Sequence, residues 1–354
     1  MTLVTRTARQ LRFVVVLALA TACTSTGGPV PATPGSGTVA PSASAAGILT
    51  VYSGRSEDLV SGVIEDFEQA SGIDVQVRYG DSAELAATIL EEGEASPADV
   101  FLSQDAGALG ALAEAGRLGQ IEPTLMERVA PEYRSEKGEW VGVTGRARVL
   151  AFDPRVVAES DLPASVTALT DPRWKDRIGW APTNASFQAF VTAFRRLEGE
   201  DVARAWLEDM MANGVRAYES NGPIVLAIDA GEIEAGLVNH YYVLEEEAEV
   251  GRDLDVSTHF FSGGDPGSLV NVAGVGVLEG AENRAAADRF VDYLLSRDAQ
   301  TFFATQTFEY PLISGVSADE RLVPLAEIDA PAIDLSALAD LEATLTLLRD
   351  VGIL

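Results

Sequence analysis

Cysteine and histidine are nearly absent from this chain of 354 residues. The single cysteine, Cys23, excludes a disulfide framework and any cysteine-based metal cluster. The two histidines, His240 and His259, leave little for a zinc site, because zinc in proteins is held mainly by cysteine and histidine. Basic residues are also few: 25 Lys and Arg stand against 54 Asp and Glu, for a formal net charge of −29. Such a surface repels phosphate backbones, so the composition argues against a nucleic-acid partner.

Recognisable catalytic motifs are missing as well. The sequence has no G-x-S-x-G nucleophile elbow, no phosphate loop ending in Gly-Lys-Ser/Thr, no H-E-x-x-H and no EF-hand calcium loop. With so few histidines, acid–base chemistry would depend on carboxylates, and no distinctive carboxylate pair stands out. We therefore predict that the protein is not an enzyme.

The N-terminus has the layout of a secretory signal. Three arginines precede an apolar run at residues 13–19, and Ala20-Thr21-Ala22 then lead to Cys23. A basic region, a short apolar region and small residues before a cleavage point are typical of a signal peptide, here residues 1–22. The apolar run is too short to span a membrane, which takes about 20 residues. Cys23 stands where a bacterial lipoprotein signal places its lipidated cysteine, and the alternative is an ordinary signal peptide with a coincidental cysteine.

Residues 23–46 follow as an uncharged segment rich in Ser, Thr, Pro, Gly and Ala. This composition cannot bury a core, so we predict a flexible tether. A lipid on Cys23 and such a tether would hold an exported globular domain at the outer face of the cell membrane.

The rest of the chain alternates apolar runs with amphipathic stretches. Its length suits two domains of roughly 150 residues each, and 47% hydrophobic residues are enough for large cores. We predict two α/β sets. The first has strands at 49–52, 73–79 and 98–103 and helices after Ser56, at 82–92 and at 106–115. The second has strands at 178–181 and 233–238 and helices at 187–197, 201–213 and 223–230. A helix at 283–295 follows.

Two longer apolar runs, at 140–152 and 269–278, connect the two sets. Alternating strands and helices favour parallel pairing with right-handed crossovers. The sequence therefore predicts an α/β fold with two lobes joined by two crossover strands that form a hinge. Ligands of open α/β sheets bind at the carboxyl ends of strands, which places the ligand cleft between the lobes.

Tyr241 and Tyr242 follow a predicted strand that ends near Asn239. Adjacent strand residues face opposite sides, so both phenols reach one point only if the chain leaves extended geometry there. Two converging phenolate oxygens are hard anionic donors that suit a small, highly charged cation such as Fe³⁺, which is able to displace phenol protons. The alternative is a packed aromatic pair or a stacking platform for an organic ligand.

Eight short stretches spread along the chain carry a family resemblance. They are Val51-Tyr-Ser-Gly-Arg-Ser-Glu57, Ser96-Pro-Ala-Asp-Val-Phe101, Gly145-Arg-Ala-Arg-Val149, Ala181-Pro-Thr183, Gly231-Glu-Ile233, Asn239-His-Tyr-Tyr242, Gly264-Asp-Pro-Gly267 and Glu309-Tyr-Pro-Leu312. In order and spacing, residues 49–316 resemble the bacterial ferric-ion-binding proteins, the transferrin-like substrate-binding components of iron(III) ABC transporters. The resemblance implies a type II periplasmic-binding-protein fold and places Tyr241 and Tyr242 on the iron-binding tyrosine pair.

The implied lobes are residues 47–144 plus 272–316 and residues 145–271 plus 317–354. The implied function is that of an iron(III)-binding lipoprotein, a monomer that captures Fe³⁺ and delivers it to an ABC permease. One alternative keeps the fold and changes the ligand to a polyamine, a thiamine-like molecule or a ferric chelate. A second alternative is an extracytoplasmic enzyme or sensor lobe on the same scaffold, which a fold alone does not exclude.

Three ligand positions of the family differ in this chain. Ser56 stands where many members have a histidine, Gln104 where some have a glutamate, and Asn184 where others have a third tyrosine. The resemblance therefore leaves two protein ligands and implies that a synergistic anion (carbonate or phosphate), water or a small chelator completes the iron site.

The start of the predicted helix near residue 187 is a candidate anion site, because free N–H groups at a helix N-terminus attract anions. A plain helix cap at Asn184 is the alternative. Together with residues implied by the resemblance, the anion-site candidates are Asn184, Ala185, Ser186, Arg146, Asn221 and Asn239, with Arg148 as the alternative to Arg146. Arg55, Ser56 and Gln104 are candidates at the cleft rim, and a solvated loop arginine is the alternative for Arg55.

Several conspicuous residues receive a structural interpretation. We expect His240 to face away from the tyrosines and His259 to be structural. The run Glu245-Glu246-Glu247 is interpreted as a solvated helix face, because three consecutive residues do not converge on one ion. The four tryptophans are expected in the cores.

Overall fold

The computed structural model describes residues 47–354, which contain ten strands and eleven α-helices. The predicted signal peptide, the predicted lipidation site Cys23 and the tether lie outside the described residues. Among residues 47–354, no helix has both the length and the apolar character needed to cross a membrane.

Strands and helices alternate through most of this region. The strands β1 to β10 are, in chain order, Leu49–Ser53, Val75–Tyr79, Val100–Ser103, Val141–Phe152, Ile178–Trp180, Arg216–Ala217, Ala235–Asn239, Ser257–His259, Val270–Val277 and Tyr310–Pro311. The helices α1 to α11 are Glu57–Ser71, Ser82–Glu92, Ala106–Glu114, Pro123–Met126, Ala185–Glu198, Glu200–Ala212, Asn221–Asp229, Tyr242–Val250, Arg284–Leu294, Arg297–Gln306 and Leu341–Asp350.

Helix α1 shows how local sequence sets these elements. Its buried face repeats every three to four residues and ends at Phe67. Glu57 and Asp58 lie in the first turn, where the helix dipole favours negative charge. The helix stops at Gly72, whose φ of 69° is a left-handed conformation that glycine adopts without strain. The helix predicted after Ser56 is confirmed.

The strands form one continuous sheet in the order β2-β1-β3-β9-β4-β7-β5-β6, with β8 and β10 paired to β4. Strand β1 is parallel to β2 and β3, and β5 is parallel to β6 and β7. The two parallel sets are those expected from the alternation of strands and helices. They are connected through β9 and β4, which pair with each other in the antiparallel direction.

Strand β4 belongs to both halves of the sheet. Its first part, residues 141–147, pairs with β9, and its second part, residues 148–152, pairs with β7. Strand β9 in turn pairs with β3 through residues 274–277. The two long strands are therefore the crossovers between two lobes, and the predicted fold class, an α/β periplasmic-binding-protein fold with two lobes, is confirmed.

Each lobe has its own hydrophobic core. One cluster packs β1, β3 and β9 against α1, α3 and α9, and it includes Trp140. Another packs α5 and α6 against β5 and β7, and it includes the other three tryptophans, Trp174, Trp180 and Trp206. All four tryptophans are at most 3% exposed, as predicted.

The C-terminal segment contacts both cores. Leu335 and Leu338 pack into the first cluster, whereas Leu347 and Leu348 on α11 pack into the second. The predicted lobe boundaries, 47–144 plus 272–316 and 145–271 plus 317–354, stay a prediction.

Helix α10 was not predicted from the sequence. Helix α10, Arg297–Gln306, follows α9 after two residues, and the Ser296 hydroxyl caps it by accepting from the Ala299 N–H at 3.2 Å. The capping serine was a usable signal, since serine is a favoured N-cap residue. Helix α8 was anticipated only as the helix carrying the run of three glutamates.

Candidate metal centre

Tyr241 and Tyr242 lie where β7 ends and α8 begins. Strand β7 ends at Asn239, and Tyr241 already has helical backbone angles, φ −79° and ψ −20°. The chain thus leaves extended geometry, so the two side chains no longer point to opposite faces. Their rings lie close to parallel, at 27°, with centroids 4.5 Å apart. The departure from extended backbone geometry, without which the two phenols could not converge, is therefore present.

The hydroxyl of Tyr241 is close to that of Tyr242 but makes no hydrogen bond within residues 47–354. The residue is fully buried. Tyr242 is half-buried and lines a cleft. Burial raises the pKa of Tyr242 well above its ordinary value, and Tyr241 and Glu245 act in the same direction. Buried polar atoms are normally paired, so the orphan oxygen indicates a place for a ligand atom.

Both ring nitrogens of His240 are hydrogen-bonded to the backbone. Its Nδ1 accepts from the Ala147 N–H at 3.2 Å, so Nε2 carries the proton and donates to the Phe308 carbonyl oxygen at 3.1 Å. Burial lowers the pKa of His240 to about 3, which keeps the ring neutral. The ring also stacks on Tyr310 at 4.3 Å. Because both nitrogens are in use, this histidine has no free donor for a metal.

His259, the second histidine, is also tied to the backbone. Its Nε2 lies 2.8 Å from the carbonyl oxygen of Pro163. This contact agrees with the structural role predicted for it.

Two arginines on one face of β4 point toward the second lobe. Arg146 and Arg148 are two residues apart, a spacing that puts strand side chains on the same side, and they are 1% and 3% exposed. Nη1 of Arg146 donates to Ser186 Oγ at 2.9 Å, and that oxygen also accepts from Asn239 Nδ2 at 3.1 Å. Nη1 of Arg148 donates to Asn239 Oδ1 at 3.3 Å. Both arginines therefore reach the predicted anion residues.

Arg148 is strongly desolvated. Its Nη2 donates to the Leu237 carbonyl oxygen at 3.0 Å, and its guanidinium lies 5.7 Å from the ring centre of Phe190. Burial lowers the pKa of Arg148 to about 9. A buried arginine of this kind is stabilised by any anion that enters the site.

The loop before α5 forms a helix cap. Asn184 Oδ1 accepts from the Ser186 N–H at 3.0 Å, and the Asn184 N–H donates to the Ala181 carbonyl oxygen at 3.1 Å. The cap considered as the alternative is therefore present. Since two N–H groups of this loop already have acceptors, side chains rather than the backbone carry most of the donors available to an anion here.

Five of the seven buried side-chain N and O atoms that lack a partner within residues 47–354 belong to this region. They are Tyr241 OH, Arg146 Nε, Arg146 Nη2, Arg148 Nε and Asn221 Nδ2. Four of the five can only donate, and three of those four are on arginines. The set can therefore receive an anion, while the phenol oxygen beside it can receive a cation.

A cleft of about 340 Å³ opens beside the tyrosines. The predicted rim residues Arg55, Ser56 and Gln104 line it from one lobe. Asn184, Ala185 and Tyr242 line it from the other lobe. The predicted site residues thus meet across one cleft. Arg146, Ser186, Asn221 and Asn239 lie behind it as buried residues.

Arg55 is not a solvated loop arginine, so that alternative is wrong. It is 2% exposed, its Nη2 donates to Glu309 Oε2 at 2.7 Å, and its Nη1 donates to Gln104 Oε1 at 2.8 Å. Glu309 is fully buried and was missed as a charged site residue. Its only signal was its position in the matching stretch that ends at Leu312.

The run of three glutamates is not the solvated face that the sequence favoured. All three are half-buried, and Glu247 Oε1 accepts from the Leu254 N–H at 3.1 Å. Burial, with Glu309 next in effect, raises the pKa of Glu245 to about 7. The interpretation failed because the first turn of α8 faces the cleft, which the glutamate run alone does not reveal.

Within residues 47–354, no three or more His, Cys, Asp or Glu side chains are grouped so as to hold a metal ion. A metal in this cleft would thus depend on phenol oxygens and on exogenous donors. This donor chemistry suits a hard trivalent ion better than Zn²⁺ or Cu⁺.

Known proteins share this architecture. The family of bacterial extracellular solute-binding proteins matches residues 95–334. An "Fe(3+)-binding periplasmic protein" of Serratia marcescens is 32% identical over 86% of this chain and 90% of its own length. A "Major ferric iron-binding protein" of Neisseria meningitidis serogroup B is 34% identical over 86% of this chain and 92% of its own. The structure of iron-bound HitA from Pseudomonas aeruginosa superimposes with a TM-score of 0.82 at 37% identity, covering 86% of this chain and 99% of that one.

Proposed function

This chain belongs to the bacterial extracellular solute-binding proteins and, among them, to the ferric-ion-binding proteins, which are transport proteins rather than enzymes. From that membership we propose that it captures Fe³⁺ in the cleft between its lobes, with the phenol oxygens of Tyr241 and Tyr242 as direct ligands. The observation that carries the proposal is the fully buried Tyr241 hydroxyl, which makes no hydrogen bond within residues 47–354 although its ring is stacked on that of Tyr242.

Iron binding would displace both phenol protons. A free phenol has a pKa of about 10, and burial raises that of Tyr242 further. A trivalent ion supplies the charge that stabilises two phenolates in such surroundings, as metals do for other weakly acidic ligands. A monovalent or divalent cation supplies less, which favours Fe³⁺.

A synergistic anion completes the proposed site. Carbonate or phosphate would accept from the orphan donors of Arg146, Arg148 and Asn221, next to Ser186 and Asn239. Binding an anion would relieve the cost of three buried guanidinium nitrogens that make no hydrogen bond within residues 47–354, one of which, Arg146 Nε, lies 3.9 Å from the Glu309 carboxylate. The anion would also supply oxygen ligands to the iron in place of those missing at Ser56, Gln104 and Asn184.

Capture would be coupled to closure of the lobes. Arg55 and Gln104 come from one side of the cleft and Asn184 and Tyr242 from the other, so a ligand that contacts both sides favours the closed form. Delivery to an ABC permease would follow, from a monomer held at the outer face of the membrane by a lipid on Cys23.

A ferric chelate is the second candidate ligand. It is favoured by a specific observation: Ser56, Gln104 and Asn184, where the family resemblance implies further ligands, line the cleft with neutral side chains. A chelator would then provide the missing anionic oxygens, and the tyrosines would still bind the iron directly.

Titration with ferric iron tests the proposal. Ferric salt with bicarbonate, with phosphate or with citrate is added to the protein, and the visible tyrosinate-to-iron charge-transfer band is followed. We expect the band to be lost in Tyr241→Phe and in Tyr242→Phe. A wild-type protein that stays colourless with all three anions would refute direct tyrosine ligation. A band with citrate alone would identify the chelate as the cargo.

A further inference from the structure

Glu245 is a carboxylate beside the tyrosine pair. It follows Tyr241 by four residues and Tyr242 by three, separations that put side chains on the same face of a helix. The Glu245 N–H donates to the Tyr241 carbonyl oxygen at 3.0 Å, so these residues share the first helical turn. Helical side chains lean toward the N-terminus, which is the direction in which the two tyrosines lie along α8.

The surroundings of this carboxylate come from both lobes. Asp58 from α1 and Glu246 from α8 line the same pocket as Glu245, while Glu309 from the β10 region and Arg55 are further charges that act on it. Arg55 already donates to Glu309 and to Gln104. Glu245 is half-buried, and within residues 47–354 its side chain makes no hydrogen bond and no ion pair. A half-buried carboxylate among other acids is costly unless a cation joins it.

A second feature of the same turn also lacks a partner. The Tyr241 oxygen is fully buried and unpaired within the described residues. Glu245 and Tyr242 line one pocket, with Ser56 and Asp58 opposite them on the other lobe. Ser56 and Gln104, which line the facing side of the cleft, are uncharged. The cleft therefore lacks an anionic oxygen at those positions and has a spare one on α8.

We propose that Glu245 is a third protein ligand of the ferric ion, adding a carboxylate oxygen to the phenolates of Tyr241 and Tyr242. This inference rests on the proposed iron-binding function. Carboxylate is a hard oxygen donor like phenolate, and three anionic side chains balance the charge of Fe³⁺. The ligand set would lie within a single turn, and closure of the lobes would bring Ser56 and Asp58 over it.

Two substitutions test the ligation. Glu245→Gln removes the charge and the strong donor, and Glu245→Asp keeps the charge but shortens the side chain by one methylene. We expect both to weaken ferric binding, measured by competition with citrate, by roughly 100-fold or more. We also expect both to move the tyrosinate-to-iron band to longer wavelength, because losing an anionic donor makes the iron more electron-poor. Glu208→Gln, at an exposed glutamate on α6 away from this pocket, is the matched control and should leave affinity and band unchanged.

The outcomes separate this inference from the proposed function. A colourless wild-type protein contradicts the tyrosine site itself. A coloured wild-type protein whose band and affinity are the same in Glu245→Gln overturns the inference alone. Weakened binding in Glu245→Gln with wild-type behaviour in Glu245→Asp also overturns it, since charge without ligation would then explain the loss. Thermal unfolding of the iron-free variants verifies that they are folded.

Discussion

Arg55 and Glu309, 254 residues apart in the chain, form an ion pair of 2.7 Å with side chains 1% and 0% exposed. Two hydroxyls also donate to the carboxylate, from Thr144 at 3.2 Å and from Thr307 at 2.9 Å. The pair ties the loop after β1 to the segment before β10 and holds a positive charge at the cleft. Hydrogen bonds at both ends of the pair offset the cost of burying the two charges.

We expect Glu309→Gln to lower the free energy of unfolding by about 3–5 kcal/mol, because it leaves Arg55 as an uncompensated buried charge. Urea denaturation of the iron-free protein measures the effect. Asp292→Asn, which breaks the exposed pair with Arg128, is the control and should cost at most about 1 kcal/mol. Equal losses in the two variants would contradict the role assigned to the buried pair.

Ser186 organises the donors of the proposed anion site, since its Oγ accepts from Arg146 and from Asn239. Ser186→Ala removes that shared acceptor while keeping both tyrosines. We expect the charge-transfer band to persist and ferric affinity in bicarbonate to fall by roughly 10-fold, as for other groups that support metal ligands indirectly. Ser268→Ala, a buried serine whose hydroxyl donates to the Phe261 carbonyl oxygen, is the control and should bind iron normally. Wild-type affinity in Ser186→Ala would argue against an anion at this place.

Ferric binding is predicted to release protons from the phenols. The pKa of Tyr242 is raised, chiefly by burial, so the iron-free side chain is protonated at neutral pH. Each proton released makes the apparent affinity fall by about 10-fold per unit decrease in pH. With both phenols ionised on binding, we expect about 100-fold per pH unit in a buffer of constant anion concentration. Competition titrations between pH 7.5 and 8.5, above the pKa of Glu245, measure the slope, and a slope near zero would contradict phenolate ligation.

Much of the fold was predictable because hydrophobic periodicity reports burial directly. The helix at Ser82–Glu92 has the predicted bounds, and the predicted long strand at 140–152 corresponds to β4. The register in which β4 pairs with β9 and β7 could not be predicted from the sequence, because it depends on contacts between residues distant in the chain. Helix α10 was missed for a different reason: it begins two residues after α9, and the prediction stopped at the first helix end.

The candidate site was predictable where the chemistry of the side chain is distinctive. Tyr241, Tyr242 and the loop around Asn184 were placed by residue type and resemblance. Glu309 and Glu245 were missed because acidic residues are usually solvated, and their burial arises only when segments far apart in sequence come together. The buried ion pair of Arg55 was missed for the same reason, because its partner Glu309 was not recognised.

His240 should make the stability of the iron-free protein depend on pH. Its pKa is lowered to about 3 in the folded chain, where the ring lacks contact with water and Nδ1 accepts from Ala147. In the unfolded chain the pKa is about 6.5. Below pH 6.5 the unfolded state therefore binds a proton that the folded state does not, so stability falls as pH decreases, by up to about 1.4 kcal/mol per unit until pH 3. His240→Gln, which retains an acceptor and a donor, should remove this contribution, whereas His259→Gln should not. Urea unfolding at several pH values between 4 and 7 gives the slopes. Parallel curves for wild-type and His240→Gln would show that His240 does not resist protonation in the folded state.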